Sequence, residues 1–399
     1  MSLNETASGE RLHIGFFGMR NAGKSSVVNS FTGQELSVVS DVLGTTTDPV
    51  KKAMELLPLG PVMIIDTPGI DDEGELGEKR VAKANRFLAT CDVGILVIDA
   101  SRGMQDADRM LLEHMKKRGI PCLKVFNKAD LLESIPPEGV DTIHVSAKDN
   151  FNINRLREKV GETVKLEENN RKLVSDLLTP GDHIILVVPI DKAAPKGRLI
   201  LPQQQTIRDI LDSGCICTVC RDTELEETLK KQIRPPKMVI CDSQVFGKVA
   251  KTVPESILLT SFSILFARYK GDLRNAVLGA AKLSSLEDGD KILISEGCSH
   301  HRQCGDIGSV KLPGWIKERC NCEPSFEFTS GNTFPDDVFQ YKLVIHCGGC
   351  MLTEKEMRYR NRIAKDCDVP MTNYGTAIAA LHGILKRSLS PFPDIQKLI

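Results

Sequence analysis

The chain has 399 residues, a formal net charge of −1 and a pI near 6.7, a length that calls for two or three domains rather than one core. Residues 1–168 carry 21 Lys and Arg against 26 Asp and Glu, and the remainder 31 against 27, so neither half has the basic footprint of a nucleic-acid-binding domain. No run of about twenty apolar residues occurs, and the start, MSLNETASGERLH, lacks the basic and apolar segments of a secretory signal. A cytoplasmic protein without nucleic-acid or membrane partners is expected, and its thirteen cysteines then read as buried thiols or metal ligands rather than disulfides.

Residues 12–17, LHIGFF, predict a buried strand, and GMRNAGKSS (18–26) follows at once, with the helix-like VVNSFTG after it. This is the phosphate-loop pattern G-x-x-x-x-G-K-S between a strand and a helix. Gly18 and Gly23 let backbone N–H groups wrap phosphates, Lys24 reaches the β and γ phosphates, the Ser25 hydroxyl ligates Mg²⁺, and Ser26 completes the motif. The apolar run VMIIDTPG (62–69) ends in Asp66, which can hold Mg²⁺ through water, and Gly69, whose N–H can meet the γ phosphate. VGILVIDA (93–100) and PCLKVFNKAD (121–130) predict two further strands. The second delivers Asn127, Lys128 and Asp130, and a carboxylate there accepts from the ring N1–H and exocyclic amine that guanine alone presents together. IHVSAK (143–148) gives Ser146, Ala147 and Lys148, which resemble the SAK element that touches the guanine oxygen. Four elements in order, each at a strand end, predict a domain over residues 1–168 that binds GTP with Mg²⁺ and hydrolyses it.

Between these elements, DVLGTTTDPV (41–50) resembles the GTTRD switch of the TrmE, Era and EngA group of GTPases, with Thr47 where that group has Arg. The resemblance implies that Thr46 is the switch threonine on Mg²⁺ and that Asn21 helps to hold a K⁺ ion at the phosphates. Ile70 follows DTPG where an apolar residue cannot orient the attacking water, so a positive group must supply the missing charge neutralisation, and K⁺ fits. Lys24, Thr46, Asp66 and Gly69 are the expected catalytic set.

From residue 151 the helical pattern NINRLREKVGETVKL closes this domain, and EENNRK (167–172) reads as a linker. HIILVVP, CICTVC, MVICD and ILLTSF then alternate with LPQQQTIRDILDSG, LEETLKKQI and QVFGKVAKTV as strands and helices, a second parallel α/β unit over 173–264. A layered unit of roughly ninety residues is marginal alone, which predicts pairing with a second copy of the chain, a homodimer. Cys215, Cys217 and Cys220 lie among Ile and Val with no histidine nearby and are expected to be buried. PIDKAAPKGR (189–198) reads as an exposed loop.

A third unit is expected over 265–399: the helix KGDLRNAVLGAAKLSSL, the strand KILISEG ending at Cys298, then SFEFTSG and YKLVIHCGGC. Cys298 and Cys347 thus each follow a strand end, the edge of an open α/β sheet where ligands gather. Cys347 and Cys350 are spaced to converge on one metal, Cys298 adds a third thiolate, and His300 and His346 stand beside them. Three thiolates suit an iron–sulfur cluster with one exchangeable iron position, whereas a structural zinc prefers four closed ligands. Cys304, Cys320 and Cys322 fall in the intervening segment, where KLPGWIKERCNCEP reads as a separate excursion, and His301 as solvent-facing.

The combination of a GTPase with the phosphate-loop asparagine, a middle α/β unit and C-x-H…H-C-x-x-C resembles the HydF family of [FeFe]-hydrogenase maturation GTPases over nearly the whole chain. It implies a [4Fe–4S] cluster on Cys298, Cys347 and Cys350 with a fourth position that is open or held by His300, His346 or another exchangeable ligand. It further implies a carrier that receives a diiron unit with the help of two radical-SAM maturases and passes it to apo-[FeFe]-hydrogenase, with GTP as a conformational switch. A ribosome- or tRNA-related GTPase with a zinc site, and a redox-sensing GTPase, are the competing readings.

Overall fold

The computed structural model describes residues 8–34, 50–57, 59–67, 87–88, 90–165, 172–190, 199–297, 306–331, 333–335 and 337–399. The expected Thr46, Gly69, Cys298 and His300, with Cys304, His301, Thr47 and Ile70, lie outside these residues. The chain divides into two compact units, one within residues 4–169 and one within 170–399.

The first unit is a six-stranded sheet built from β1 (Leu12–Gly18), β2 (Val50–Leu56), β3 (Gly60–Asp66), β4 (Val93–Asp99), β5 (Cys122–Asn127) and β6 (Thr142–His144), in the order β2-β3-β1-β4-β5-β6. All pairs are parallel except β2 with β3. The uninterrupted apolar runs of the sequence follow from burial on both faces. Ile14, Phe16, Ile95 and Val97 point into one core, and Phe17, Leu96 and Ile98 into the other. The antiparallel edge strand β2 escaped the sequence reading because Lys51 and Lys52 leave it exposed to solvent and weakly patterned.

The second unit holds two four-stranded parallel sheets. The first contains β7 (His183–Val187), β8 (Ile216–Cys220), β9 (Met238–Cys241) and β10 (Leu258–Ser261) in the order β10-β9-β7-β8. All four strands were legible as apolar runs. Cys215 is buried with Ile184 and Leu186, and Cys220 with Val187 and Val239, so these thiols pack as small hydrophobes. The second sheet contains β11 (Lys291–Glu296), β12 (Ser325–Ser330), β13 (Leu343–His346) and β14 (Met371–Asn373) in the order β12-β11-β13-β14. Its faces alternate in the same way, Ile292 and Ile345 against Leu293 and Val344.

Two readings change here. KLPGWIKERC is not an excursion: Leu312–Cys320 is a helix whose Leu312 and Ile316 enter the core on the β11 and β13 face, with Pro313 in the first turn where its missing N–H costs nothing. The residue pair 264/265 falls inside the helix Phe262–Lys270, which ends at Gly271. The C-terminal residues Leu385, Leu389 and Phe392 return to the core of the β7–β10 sheet. Among the described residues no helix is long and apolar enough to cross a membrane.

Candidate nucleotide site and metal centre

In the first unit every motif leaves the carboxyl end of a strand. Gly18 closes β1, and the loop it opens runs through Asn21, exposed with φ 64°, to Gly23, the N-cap of the helix Lys24–Thr32, which carries Ser25 and Ser26 in its first turn. No side chain caps that N-terminus, so its N–H groups and the helix dipole face the phosphate position. Lys24 and Asp66 are both buried, and the Lys24 ammonium pairs with the Asp66 carboxylate. The Thr67 hydroxyl donates to the Phe16 carbonyl at 2.7 Å, which pins the turn after β3 to β1.

Asn127 joins the phosphate and base loops. Its side-chain amide donates to the Ala22 carbonyl at 3.1 Å and accepts from the Ala147 N–H at 3.1 Å. A Cβ on Gly23 would lie 2.3 Å from Asn127 Nδ2, and Gly23 has φ 79°, so glycine is required by both space and conformation. Lys128, at φ 65°, donates to Asp99 Oδ2 at 2.6 Å, and Ser146 donates to Asp130 Oδ1 at 2.9 Å, while Lys148 is exposed. Asp99, at the end of β4, was not singled out from sequence, since nothing in VIDA marks it as the partner of Lys128. The arrangement sets a buried pair of opposite charges, Lys24 and Asp66, at the carboxyl edge of the sheet, and, in the loop after β5, an Asp130 carboxylate that accepts from Ser146.

In the second unit, β11 and β13 are neighbours and both end at one sheet edge. The Cys347 sulfur there accepts N–H groups from Gly297 at 3.0 Å and from Gly349 at 3.4 Å. Gly297 immediately precedes Cys298 in sequence. Burial pushes the Cys347 thiol up to about 11 against the pull of these two donors, so a metal must displace its proton on binding. Gly349 has φ 63°, and a Cβ would meet Met357 Sδ at 2.6 Å, which is why the turn between the cysteines needs glycine. Cys350 closes the turn. Among the described residues no three His, Cys, Asp or Glu side chains cluster as a metal site. Cys347 and Cys350 form the described part of the candidate set.

His346 is engaged within the fold. It is the last residue of β13, is fully buried, and its ring reaches Arg360 of the helix Glu354–Asp366. Its Nδ1 donates to the Cys347 carbonyl at 2.8 Å, and its Nε2 lies 2.9 Å from the Arg360 guanidinium. Burial and the Arg360 charge push its pKa down to about 3, so the ring is neutral and Nε2 accepts. Both nitrogens are therefore engaged within the fold, and only a rotation off β13 would offer one to a metal. Arg360 itself is fully buried, donating to Glu356 Oε1 at 2.8 Å and the Gly331 carbonyl at 2.8 Å, with Ser295 Oγ at 3.4 Å. The sequence concealed this: Glu356 and Arg360 have the i,i+4 spacing of an ordinary surface pair. Arg360→Met leaves the Glu356 carboxylate buried without its partner and is expected to cost about 3–5 kcal/mol in urea unfolding, with Arg360→Met/Glu356→Leu recovering part of the loss. A single-variant cost under about 1 kcal/mol would mean the network contributes little.

Fold and site together define a P-loop GTPase domain joined to two further α/β modules with parallel sheets. Residues 13–128 match the family model of the 50S ribosome-binding GTPase, residues 173–271 that of the hydrogen maturase F dimerization domain, and residues 274–391 that of the hydrogen maturase F tetramerization domain. The chain belongs to the hydrogen maturase F family.

Its GTPase part is similar to GTPase Der of Kosmotoga olearia, 32% identical over 170 residues, covering 38% of each chain. It is also similar to the tRNA modification GTPase MnmE of Nitratidesulfovibrio vulgaris, 38% identical over 135 residues, covering 33% of this chain and 29% of the relative. The chain thus spans well under half the length of these relatives. Era of Aquifex aeolicus is 19% identical over 52% of this chain and 92% of its own, with a TM-score of 0.35. The probable GTP-binding protein engB is 23% identical, covering 39% of this chain and all of its own, with a TM-score of 0.33.

Proposed function

We propose that the chain is a GTP-hydrolysing scaffold of [FeFe]-hydrogenase maturation that holds a [4Fe–4S] cluster on Cys298, Cys347 and Cys350. The observation that carries this reading is the Cys347 sulfur held by two backbone N–H groups at a sheet edge, in a chain that also carries the complete set of GTP motifs. N–H···S bonds of this kind share the charge of a cluster-bound thiolate, and the donor set fits the group. When bound, the cluster supplies one iron with an exchangeable ligand. The chain orients the Cys347 and Cys350 thiols through the Gly348–Gly349 turn and shields the β13 side of the site with His346 and Arg360. A diiron unit bearing CO and CN⁻ is cargo in this reading, assembled with two radical-SAM maturases and handed to apo-[FeFe]-hydrogenase.

The P-loop backbone and Lys24 hold the GTP phosphates, Ser25 and Thr46 ligate Mg²⁺, Asp66 holds it through water, Gly69 meets the γ phosphate, and Asn127, Asp130, Ser146, Ala147 and Lys148 read guanine. Asn21, with its amide presented from an exposed left-handed turn, is the K⁺ ligand. GTP hydrolysis is expected to be at least about tenfold faster in KCl than in NaCl, and Asn21→Ala is expected to abolish the difference; equal rates in both salts would remove K⁺ from the site. The dimerization and tetramerization matches support an assembly of copies, and Ile216 and Val219, exposed on the edge strand β8, offer an apolar contact.

The functional experiment is anaerobic incubation of the full chain with iron, sulfide and the two maturases, repurification, and addition to apo-hydrogenase. Hydrogen evolution should appear with the wild-type chain and fall steeply with Lys24→Ala. Full cluster loading with no hydrogenase activation would end the carrier reading and favour a redox-sensing GTPase. Stoichiometric zinc with no iron would favour the ribosome- or tRNA-related alternative.

A further inference from the structure

We propose that a cleft at the amino edge of the β11–β14 sheet is the face through which two copies of the chain pair, in a two-fold contact that seats Phe339 of each copy in the cleft of the other. The proposal rests on the assembly reading above and names the surface, the anchor and the symmetry that the tetramerization match leaves open.

The cleft has a volume of about 810 Å³. It lies where Tyr341 and Lys342 lead into β13 and Val369 and Pro370 lead into β14, and the helix Leu273–Ala281 forms one wall through Leu278 and Gly279. The cysteine turn leaves the other end of β13, so cleft and cluster site occupy opposite edges of one sheet. Every lining residue falls between 275 and 371, inside the tetramerization match at 274–391. The wall is fixed: a Cβ on Gly279 would lie 2.5 Å from the Met371 carbonyl oxygen, and the Thr372 hydroxyl donates to the Ala276 carbonyl at 2.7 Å. Helix and strand are locked together, and the hollow is preformed.

Three properties select a second copy as the occupant. Phe339 is 73% exposed and Leu278 41% exposed, both lining the cleft, which is apolar area that a partner would remove from water. The rim also carries both signs of charge. Lys282, Lys342 and Lys365 stand there with Glu287 and Asp368, all exposed, and among the described residues no lysine–carboxylate pair joins them. A cleft for a small anion needs one sign, whereas a two-fold contact needs both, because each patch must complement itself. Finally, an exposed ring and a hollow lie side by side, so a two-fold operation carries the ring of one copy to the hollow of the other. An aromatic anchor inside a charged rim is the anatomy of a protein interface.

The test is sedimentation velocity of the full chain over a concentration series, with circular dichroism to confirm that each variant is folded. Wild type should form a species larger than the dimer. Phe339→Asp should raise the concentration of half-assembly into that species at least about 30-fold, the effect of losing a central aromatic anchor. Charge reversal tests the symmetry independently of Phe339. Lys282→Glu/Lys342→Glu/Lys365→Glu makes the rim wholly acidic, and Glu287→Lys/Asp368→Asn makes it wholly basic, asparagine being chosen because residue 368 sits at φ 55°. Each should stop at the dimer alone, and an equal mixture of the two should restore the larger species. A mixture that stays dimeric overturns the two-fold pairing. A Phe339→Asp chain that assembles as wild type does also overturns it and returns the cleft to a small ligand. A wild-type chain that never exceeds the dimer overturns the assembly reading itself, and this surface with it.

Discussion

Gly23→Ala is expected to lower affinity for GTP and GDP at least about 100-fold, close to 2.7 kcal/mol. Two physical costs add at this position. The backbone sits at φ 79°, where an L side chain is strained by roughly 1–2 kcal/mol. The new methyl would also lie 2.3 Å from Asn127 Nδ2, which must then withdraw. Withdrawal is not local, because Asn127 holds the Ala22 carbonyl on one side and the Ala147 N–H on the other, each contact contributing about 1 kcal/mol. One methyl group thereby disturbs the phosphate loop and the guanine loop together. Titration calorimetry with GDP and Mg²⁺ measures the loss directly. Lys128→Ala provides the contrast: it releases Asp99 at the base side but leaves Gly23 and Asn127 in place, so it should weaken binding less. If Gly23→Ala binds within threefold of wild type, Asn127 is not the joint between the two loops.

The placement of the phosphate-loop and base motifs at strand ends was legible in the sequence because each motif is contiguous. Gly18 to Ser26, Asp66, Asn127 to Asp130 and Ser146 to Lys148 each sit in a short segment after an apolar run, and a strand end is what an apolar run followed by glycine or polar residues encodes. The cysteine turn was legible for the same reason. What sequence could not reveal are residues whose role comes from a distant contact. Arg360 lies in EKEMRYRNR, a stretch whose composition describes a solvated helix, yet β13 and β11 place a neutral histidine and a serine hydroxyl against its guanidinium. Lys270 follows FARY in a helix that local pattern merges with its surroundings, and two of its partners are the backbone carbonyls of Cys350 and Leu352, which carry no side-chain signature. His346 marks the limit of reading by adjacency: the histidine beside Cys347 is its neighbour in sequence, yet its two ring nitrogens are taken up by the Cys347 carbonyl and Arg360.

Cys347→Ser is expected to remove the cluster, with iron falling from about four per chain toward zero and the reduced [4Fe–4S]⁺ EPR signal disappearing. The position of its sulfur explains why this cysteine should be the least replaceable of the turn. It accepts from both Gly297 and Gly349, so it joins the end of β11 to the turn after β13. A serine oxygen sits closer to the backbone and is far less acidic than a thiol, so it offers iron a poorer ligand and the two N–H groups a displaced acceptor. Cys350→Ser leaves in place the Cys347 sulfur that joins the end of β11 to the turn after β13. It should retain more iron than Cys347→Ser, with an altered spectrum. The ranking separates a cluster from a mere structural metal. A closed zinc site depends on all its thiolates alike and shows no EPR signal in any variant. His346→Ala supplies the final discrimination. If His346 acts through the Cys347 carbonyl and Arg360, as its hydrogen bonds indicate, the variant loses stability while its cluster keeps the wild-type spectrum. A changed EPR spectrum in a stably folded His346→Ala protein would instead mean that the ring leaves β13 to serve as the fourth ligand when the cluster is bound.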